Sequence, residues 1–182
     1  MSQTQTMQPG EADRATRLSR MIRVDHAGEY GAERIYAGQL AVLGRGEKAG
    51  LLRHMMEQET HHKEVFSGLI AKRRVRPTAL LPIWHVAGFA LGAVTAAIGE
   101  RAAMACTVAV EEAIDEHYAE QAASLGDEEG ELRSTIEAFR LEELEHRDIG
   151  LANEAELAPA YRLLSRFIKT GCRVAIAVSE IV

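Results

Sequence analysis

The amino-acid sequence predicts an all-α protein whose core is a bundle of four long helices. Apolar residues recur at spacings of three and four along most of the chain, which is the period of one helix face. Aromatic residues make up only 5% of the 182 residues, a composition that favours helix over sheet. The hydrophobic fraction of 47% is large enough for a buried core. We expect one domain at residues 12–182, after a flexible tail at residues 1–11.

Glycine and proline mark where the predicted helices begin and end. Gly44 and Gly46 end the first helix, and Pro77 stops the second. An acidic turn at residues 126–130 separates the third helix from the fourth. The predicted helices cover about residues 12–43, 47–74, 100–125 and 131–152, with a last helical stretch at 159–182.

Charge and cysteine content argue against several classes of protein. The formal net charge of −6 argues against a nucleic-acid-binding protein, because phosphate binding needs a basic face. Cys106 and Cys172 are too few for a disulfide scaffold or a cysteine-ligated zinc site. The sequence contains no Gly-x-Gly-x-x-Gly motif, so we expect no tightly bound NAD or flavin.

Two Glu-x-x-His pairs, Glu59–His62 and Glu143–His146, lie on the otherwise apolar faces of the second and fourth helices. Another glutamate on an apolar face, Glu29 or Glu111, precedes each pair at nearly the same distance along the chain. The glutamate and the Glu-x-x-His pair of the first half are separated from their counterparts in the second half by a nearly constant number of residues. The sequence therefore predicts an internal repeat of a helix pair, and each copy supplies one glutamate and one Glu-x-x-His pair.

Four helices that contribute this set supply the ligands of di-iron or di-manganese carboxylate proteins. Residues three apart on a helix project to the same side, so one carboxylate and one imidazole can reach the same metal pair. Hard oxygen donors with one imidazole per metal suit iron or manganese. The predicted ligands are Glu29, Glu59, His62, Glu111, Glu143 and His146.

Two of these positions have rivals one residue or one turn away. Glu112 competes with Glu111, but it shares its side of the helix with charged residues, whereas Glu111 lies with Val108 and Ile114. Glu33 competes with Glu29, but its spacing to the second helix matches the repeat less well.

Several long strings resemble the demethoxyubiquinone hydroxylase (Coq7/Cat5) family. They are VDHAGEYGAERIYAGQ (24–39), WHVAGFALGA (84–93), ACTVAVEE (105–112), EELEHRDIGL (142–151), AELAPAY (155–161) and GCRVAI (171–176). The resemblance implies a ferritin-like di-iron monooxygenase that uses O2 to hydroxylate a polyprenylated demethoxyubiquinol, 2-polyprenyl-3-methyl-6-methoxy-1,4-benzoquinol, in ubiquinone biosynthesis. It also implies that the six ligands predicted from spacing hold two iron ions, with Glu111 rather than Glu112 among them.

The same resemblance implies the partners of the protein. They are the quinol, an external electron donor, a membrane surface and other ubiquinone-biosynthesis proteins. The implied location is the cytoplasmic face of a bacterial inner membrane, or the matrix face of the inner mitochondrial membrane. A ferritin- or rubrerythrin-like ferroxidase or peroxidase is the alternative, because such proteins share the six ligands.

Residues 79–98 form a run of twenty uncharged residues, long enough to span a bilayer, and a basic cluster at residues 72–76 precedes it. If this run crossed a membrane, the first two helices would lie on the opposite side from the last two and the six ligands could not meet. We therefore expect residues 78–99 to form an apolar hairpin or helix that lies on the membrane face. Trp84, Phe89 and Leu91 are its candidate substrate-channel residues.

Four further residues are candidates for supporting roles. Tyr118 and His117, two turns beyond Glu111, are candidates for a proton or electron relay, with a plain core tyrosine as the alternative. His26 and Asp148 are candidates for holding a ligand in place. The alternatives are a hydrogen-bonded core histidine and the end of a charged helix face.

Overall fold

The computed structural model describes residues 11–182, which form six α-helices and no strand. The helices are α1 (Glu11–Leu43), α2 (Ala49–Arg73), α3 (Leu81–Ile98), α4 (Glu100–Ser124), α5 (Gly130–Ala152) and α6 (Tyr161–Ile181). These bounds confirm the all-α prediction, and the predicted helix ends agree with them to within two residues. Residues 1–10 of the predicted tail lie outside the described residues, whereas Glu11, which we placed in the tail, is the first residue of α1.

The predicted metal ligands lie between two clusters of buried apolar residues in the bundle. One cluster includes Tyr36, Met55 and Met104, and the other includes Phe66 and Ile136. On α1, α2, α4 and α5 the predicted metal ligands fall between residues of one cluster and residues of the other. The apolar residues therefore surround the ligand positions and shield them from water.

The apolar run between α2 and α4 forms one continuous helix, α3. Pro82 lies in its first turn, where a missing N–H is tolerated, so the proline does not break the segment. Among the described residues, α3 is the one helix long and apolar enough to cross a membrane by length and composition. It packs along α1, and its outer face is exposed at Ile83, Val86 and Val94. The segment is therefore a helix, which is one of the two expected forms, and its contact with a membrane stays a prediction.

Glycines allow α3 and α1 to approach each other closely. A Cβ atom on Gly92 would lie 1.9 Å from the carbonyl oxygen of Ile35, and one on Gly88 would lie 2.8 Å from that of Gly31. The obstructing atoms belong to the backbone of α1, so no side-chain rotation relieves either clash. The position of α3 therefore depends on these small residues.

We expect Gly92→Ala to lower the free energy of unfolding by about 1–3 kcal/mol, the usual range for overpacking. Gly68→Ala, the same change at an open position of α2 with no atom near its Cβ, should raise it by about 0.5–1 kcal/mol. Urea denaturation of the two variants measures both effects. A Gly92 variant as stable as the wild type would contradict the close approach of α3 to α1.

Candidate metal centre

The structure brings the six predicted ligands together in the middle of the bundle. Each side chain is at most 1% exposed. The side chains form two groups, in each of which the candidate ligand atoms lie within 4.8 Å of one another. The groups are Glu29, Glu59, His62 and Glu143, and Glu59, Glu111, Glu143 and His146. Glu59 and Glu143 belong to both groups, so the arrangement could hold two cations that share two carboxylates.

The unpaired atoms of this cluster are those that a cation requires. Both carboxylate oxygens of Glu59 and of Glu143 are buried without a hydrogen-bond partner, as is Nδ1 of each histidine. His62 Nδ1 lies 3.2 Å from Glu143 Oε1, and His146 Nδ1 lies 3.1 Å from Glu59 Oε1. Buried polar atoms are rarely left without a partner, so this set of oxygen and imidazole donors fits bound metal ions.

Protons take the place of cations when the cluster is metal-free. Burial, followed by repulsion from neighbouring carboxylates, raises the pKa of Glu59 well above its ordinary value. Burial alone would also raise the pKa of Glu143, but contacts with His146 and His62 outweigh it and lower that pKa to about 2. Burial lowers the pKa of His62, yet Glu143 and Glu29 overcome this and raise it to about 11. Metal binding at this site must therefore displace protons.

The rival glutamates have other partners. Glu112 forms an ion pair with Lys169 of α6, and Glu33 forms one with Lys63 of α2. Neither belongs to the buried groups of candidate ligands. The structure therefore brings Glu111 and Glu29, rather than these rivals, into the cluster.

Two buried tyrosines form hydrogen bonds with Glu29 and Glu111, the glutamates that each belong to only one of the two groups. Tyr118 donates a hydrogen bond to Glu29 Oε1, and Tyr36 donates one to Glu111 Oε1 at 2.6 Å. Tyr36 was not among the predicted site residues, although the shift that relates Glu29 to Glu111 also relates Tyr36 to Tyr118. The residue equivalent to Tyr118 in the first half of the repeat is Tyr36, so the repeat could have identified Tyr36 as a site residue.

A second pair of residues contacts the outer edges of both histidines. His62 Nε2 lies 3.0 Å from Glu142 Oε2, and His146 Nε2 lies 3.0 Å from Gln58 Oε1. Gln58 and Glu142 precede the two Glu-x-x-His pairs at equivalent positions of the repeat. Sequence reasoning missed both, because a polar residue next to a ligand on a helix is equally typical of a solvated face.

His117 lies in a polar cluster near the predicted ligands and lines a solvent crevice of about 350 Å³. Its Nε2 lies 2.8 Å from the amide nitrogen of Gln121 and 3.5 Å from Oδ1 of Asp25. Gln121 also donates to Asp25 at 2.7 Å. Burial raises the pKa of Asp25 to about 6, although its contacts with His117 and Gln121 oppose the shift. Asp25 lies one helical turn before Glu29 on α1, so this polar cluster lies between solvent and the predicted ligand Glu29.

The two remaining candidates for supporting roles differ in position. Asp148 is exposed and pairs with its neighbour Arg147 at 2.6 Å, so the structure does not bring it to the cluster and the charged-face alternative describes it better. His26 is half-buried, and its Nδ1 has no hydrogen-bond partner among the described residues. Burial, and then the charge of Lys63, lowers the pKa of His26.

An apolar cavity of about 300 Å³ lies between α1, α3, α4 and α6. Of the three candidate substrate-channel residues, Trp84 and Leu91 line this cavity and Phe89 does not. Phe89 instead packs against α1, with the Arg34 guanidinium 5.2 Å from its ring centre. The cavity wall also includes Gly28 and Val110, the direct chain neighbours of Glu29 and Glu111. The cavity therefore reaches the helix segments that carry two of the cluster carboxylates.

Comparison with known proteins identifies similar chains. The model of a family described as ubiquinone biosynthesis protein COQ7 matches residues 16–179. The chain is 60% identical over 173 residues to the 3-demethoxyubiquinol 3-hydroxylase of Rhodospirillum rubrum, covering 94% of this chain and 82% of that protein. It is 56% identical over 167 residues to the human NADPH-dependent 3-demethoxyubiquinone 3-hydroxylase, mitochondrial, covering 90% and 77%. The 5-demethoxyubiquinone hydroxylase, mitochondrial, of Saccharomyces cerevisiae is 44% identical over 180 residues, with 90% and 77% covered.

Proposed function

The chain belongs to the COQ7 family of ubiquinone biosynthesis proteins, and on this basis we propose that it hydroxylates the ring of a polyprenylated demethoxyubiquinol. The observation that carries the proposal is the apolar cavity whose wall includes Gly28 and Val110, the chain neighbours of two glutamates in a buried cluster that could hold metal ions. A ferroxidase or peroxidase of ferritin or rubrerythrin type would leave this cavity without a role, and the similar proteins are named hydroxylases.

We propose that the six clustered residues hold two iron ions, with Glu59 and Glu143 shared between them. Iron bound there would supply the activation of O2 that the hydroxylation of the quinol ring requires. Tyr118 and Tyr36 orient Glu29 and Glu111 through their hydrogen bonds. The apolar clusters on either side exclude water from the site.

The quinol head group enters the cavity beside Gly28 and Val110, and the polyprenyl tail leaves it between α3 and α6. The outer faces of these two helices carry exposed apolar residues, including Val86 of α3 and Phe167 of α6. We propose that they rest on the membrane that supplies the quinol, at the cytoplasmic face of a bacterial inner membrane or the matrix face in mitochondria.

Part of the basic cluster before α3 is already paired within the protein. Lys72 and Arg73 form ion pairs with Glu131 and Glu129 at 3.5 Å and 2.7 Å. Arg74 and Arg76 are exposed, and we propose that these two contact anionic headgroups.

Electrons come from an external donor in this proposal, in keeping with the NADPH-dependent name of the human relative. Asp25, His117 and Gln121 connect the solvent crevice to the segment of α1 that carries Glu29. We propose that this cluster admits protons, with Tyr118 as the group nearest the metal ligands.

Asp25→Asn tests this proton route through stability as well as turnover. Asp25 has an ordinary pKa of 3.8 in the unfolded chain and about 6 in the folded one, so folded wild type binds more protons between these values. The stability that protonated Asp25 contributes to wild type is therefore lost as the pH rises from about 4 to about 6, and the variant lacks this part of the pH dependence. Above pH 6 we expect the variant to be more stable by up to roughly 3 kcal/mol, with slower quinol turnover.

Urea denaturation at pH 4 and pH 7 measures the stability difference. Asp148→Asn is the matched control, because that exposed aspartate lies away from the cluster and should change neither property. An Asp25 variant with wild-type turnover would remove Asp25 from the proposed proton route.

A single-turnover assay tests the proposed function itself. Protein loaded anaerobically with ferrous iron is mixed with O2 and a demethoxyquinol, and ¹⁸O₂ should place one labelled oxygen in the product ring. Oxidation of iron without a hydroxylated quinol would overturn the proposal in favour of a ferroxidase.

A further inference from the structure

The outer edges of the two histidines are joined by a chain of hydrogen bonds. His146 Nε2 lies 3.0 Å from Gln58 Oε1, Gln58 Nε2 donates to Glu142 Oε2 at 3.1 Å, and His62 Nε2 lies 3.0 Å from the same oxygen. Each residue contacts the histidine of the other half of the repeat: Gln58 of α2 reaches α5, and Glu142 of α5 reaches α2. We call this pair the Gln58–Glu142 bridge.

The bridge determines which imidazole nitrogen faces the cluster. An amide oxygen and a carboxylate oxygen accept hydrogen bonds, so each histidine must donate from Nε2. When a cation has displaced the second proton, the other nitrogen, Nδ1, carries the lone pair, and in both histidines it is the buried atom that lies among the glutamates without a partner. The bridge thus selects the tautomer and fixes the ring orientation of both side chains.

The two halves of the bridge differ in charge. His62 donates to a carboxylate, whereas His146 donates to a neutral amide. Hydrogen bonds to an ionised acceptor are about twice as strong as neutral ones, and a carboxylate partner makes a metal-bound imidazole more basic. The ligand sets are otherwise related by the repeat, so this is a specific chemical difference between them.

We propose that Gln58 and Glu142 are positioning residues that turn both Nδ1 atoms into the cluster and make its two cation positions unequal, with tighter binding at the position of His62. This inference rests on the proposed metal-binding function of the six residues. Its readouts are cation affinity and imidazole proton exchange, so it is tested separately from quinol turnover.

The first experiment titrates metal-free protein with Zn²⁺ in competition with a chromophoric chelator. Wild type should bind two ions in two steps of different affinity. Glu142→Gln keeps an acceptor but removes the charge, and it should weaken the tighter step by about 10- to 100-fold and bring the two steps together. Glu137→Gln is the matched control: it removes the same charge from an exposed position of α5 and should titrate as wild type does.

The second experiment records long-range ¹H–¹⁵N NMR spectra of the Zn²⁺-loaded protein. Both imidazoles of wild type should carry their proton on Nε2, with Nδ1 bound to Zn²⁺. Glu142→Leu should release the Nε2 proton of His62 to rapid exchange with water, and Gln58→Leu should do the same for His146. A purely structural role would not produce this selective exchange, and thermal unfolding of each variant checks that it folds.

The proposed role of the bridge would be wrong if Glu142→Gln bound Zn²⁺ with the affinities of wild type. It would also be wrong if the Nε2 protons exchanged slowly with water in both leucine variants. Either result would stand even if quinol hydroxylation is demonstrated. Two equal binding steps in wild type would overturn the inequality of the two positions. Absence of quinol hydroxylation in wild type, with the two Zn²⁺ steps intact, would overturn the proposed reaction and leave the bridge standing.

Discussion

Replacing Glu111 with alanine is expected to abolish quinol hydroxylation and to remove about one of the two iron ions per chain. Glu111 is 1% exposed, its Oε2 has no hydrogen-bond partner, and its loss leaves one group of ligands with a single unshared residue, His146. Iron content after anaerobic reconstitution and product formation under O2 measure the two effects.

Glu112→Ala is the matched control, because its carboxylate points away from the cluster and pairs with Lys169. Loss of this surface ion pair is expected to change stability by less than about 1 kcal/mol and to leave both irons bound. If Glu112→Ala lost iron while Glu111→Ala kept it, the assignment of the α4 ligand would be wrong by one residue.

Leu91→Glu is expected to produce the second large effect, a loss of turnover with a long-tailed quinol. Leu91 lines the apolar cavity, and a charge in an apolar site costs about 2.5–3.5 kcal/mol on membrane-insertion scales, which corresponds to a reduction in kcat/KM on the order of a hundredfold. A short-tailed, water-soluble analogue should lose less, because the six cluster residues lie on other helices. Iron content should stay at the wild-type level.

Val86→Glu separates membrane docking from substrate binding. Val86 lies on the same helix but is 67% exposed on its outer face. We expect this variant to bind anionic vesicles on the order of tenfold more weakly, a loss of about 1.4 kcal/mol, and to retain turnover in detergent micelles. Leu141→Glu is the control: Leu141 is 68% exposed on α5, away from α3 and α6, and should affect neither property.

Equal loss with both quinols in Leu91→Glu would assign this position a structural role in the bundle. Full turnover with both would exclude the cavity as the substrate route. Vesicle binding that falls as much in Leu141→Glu as in Val86→Glu would contradict docking through α3.

The sequence was sufficient to predict the helices and the six residues of the cluster. Helical side-chain direction follows from a period of 3.6 residues, so spacing within one helix shows which residues share a face. The internal repeat, with its nearly constant shift along the chain, then related the faces of the two halves. The same six residues also argued against a bilayer-spanning run, because the predicted ligands of one site must meet on one side of a membrane.

Contacts between helices were decided only by the tertiary structure. The period of α3 does not show that glycines bring it against α1, and this packing places Leu91 in the cavity while Phe89 lies outside it. In the same way, Glu142 and Asp148 are both polar residues near a ligand on α5, yet only Glu142 reaches a histidine. The reason is physical: the helical period fixes the direction of a side chain relative to its own helix, whereas its partners depend on how neighbouring helices cross and how closely they approach.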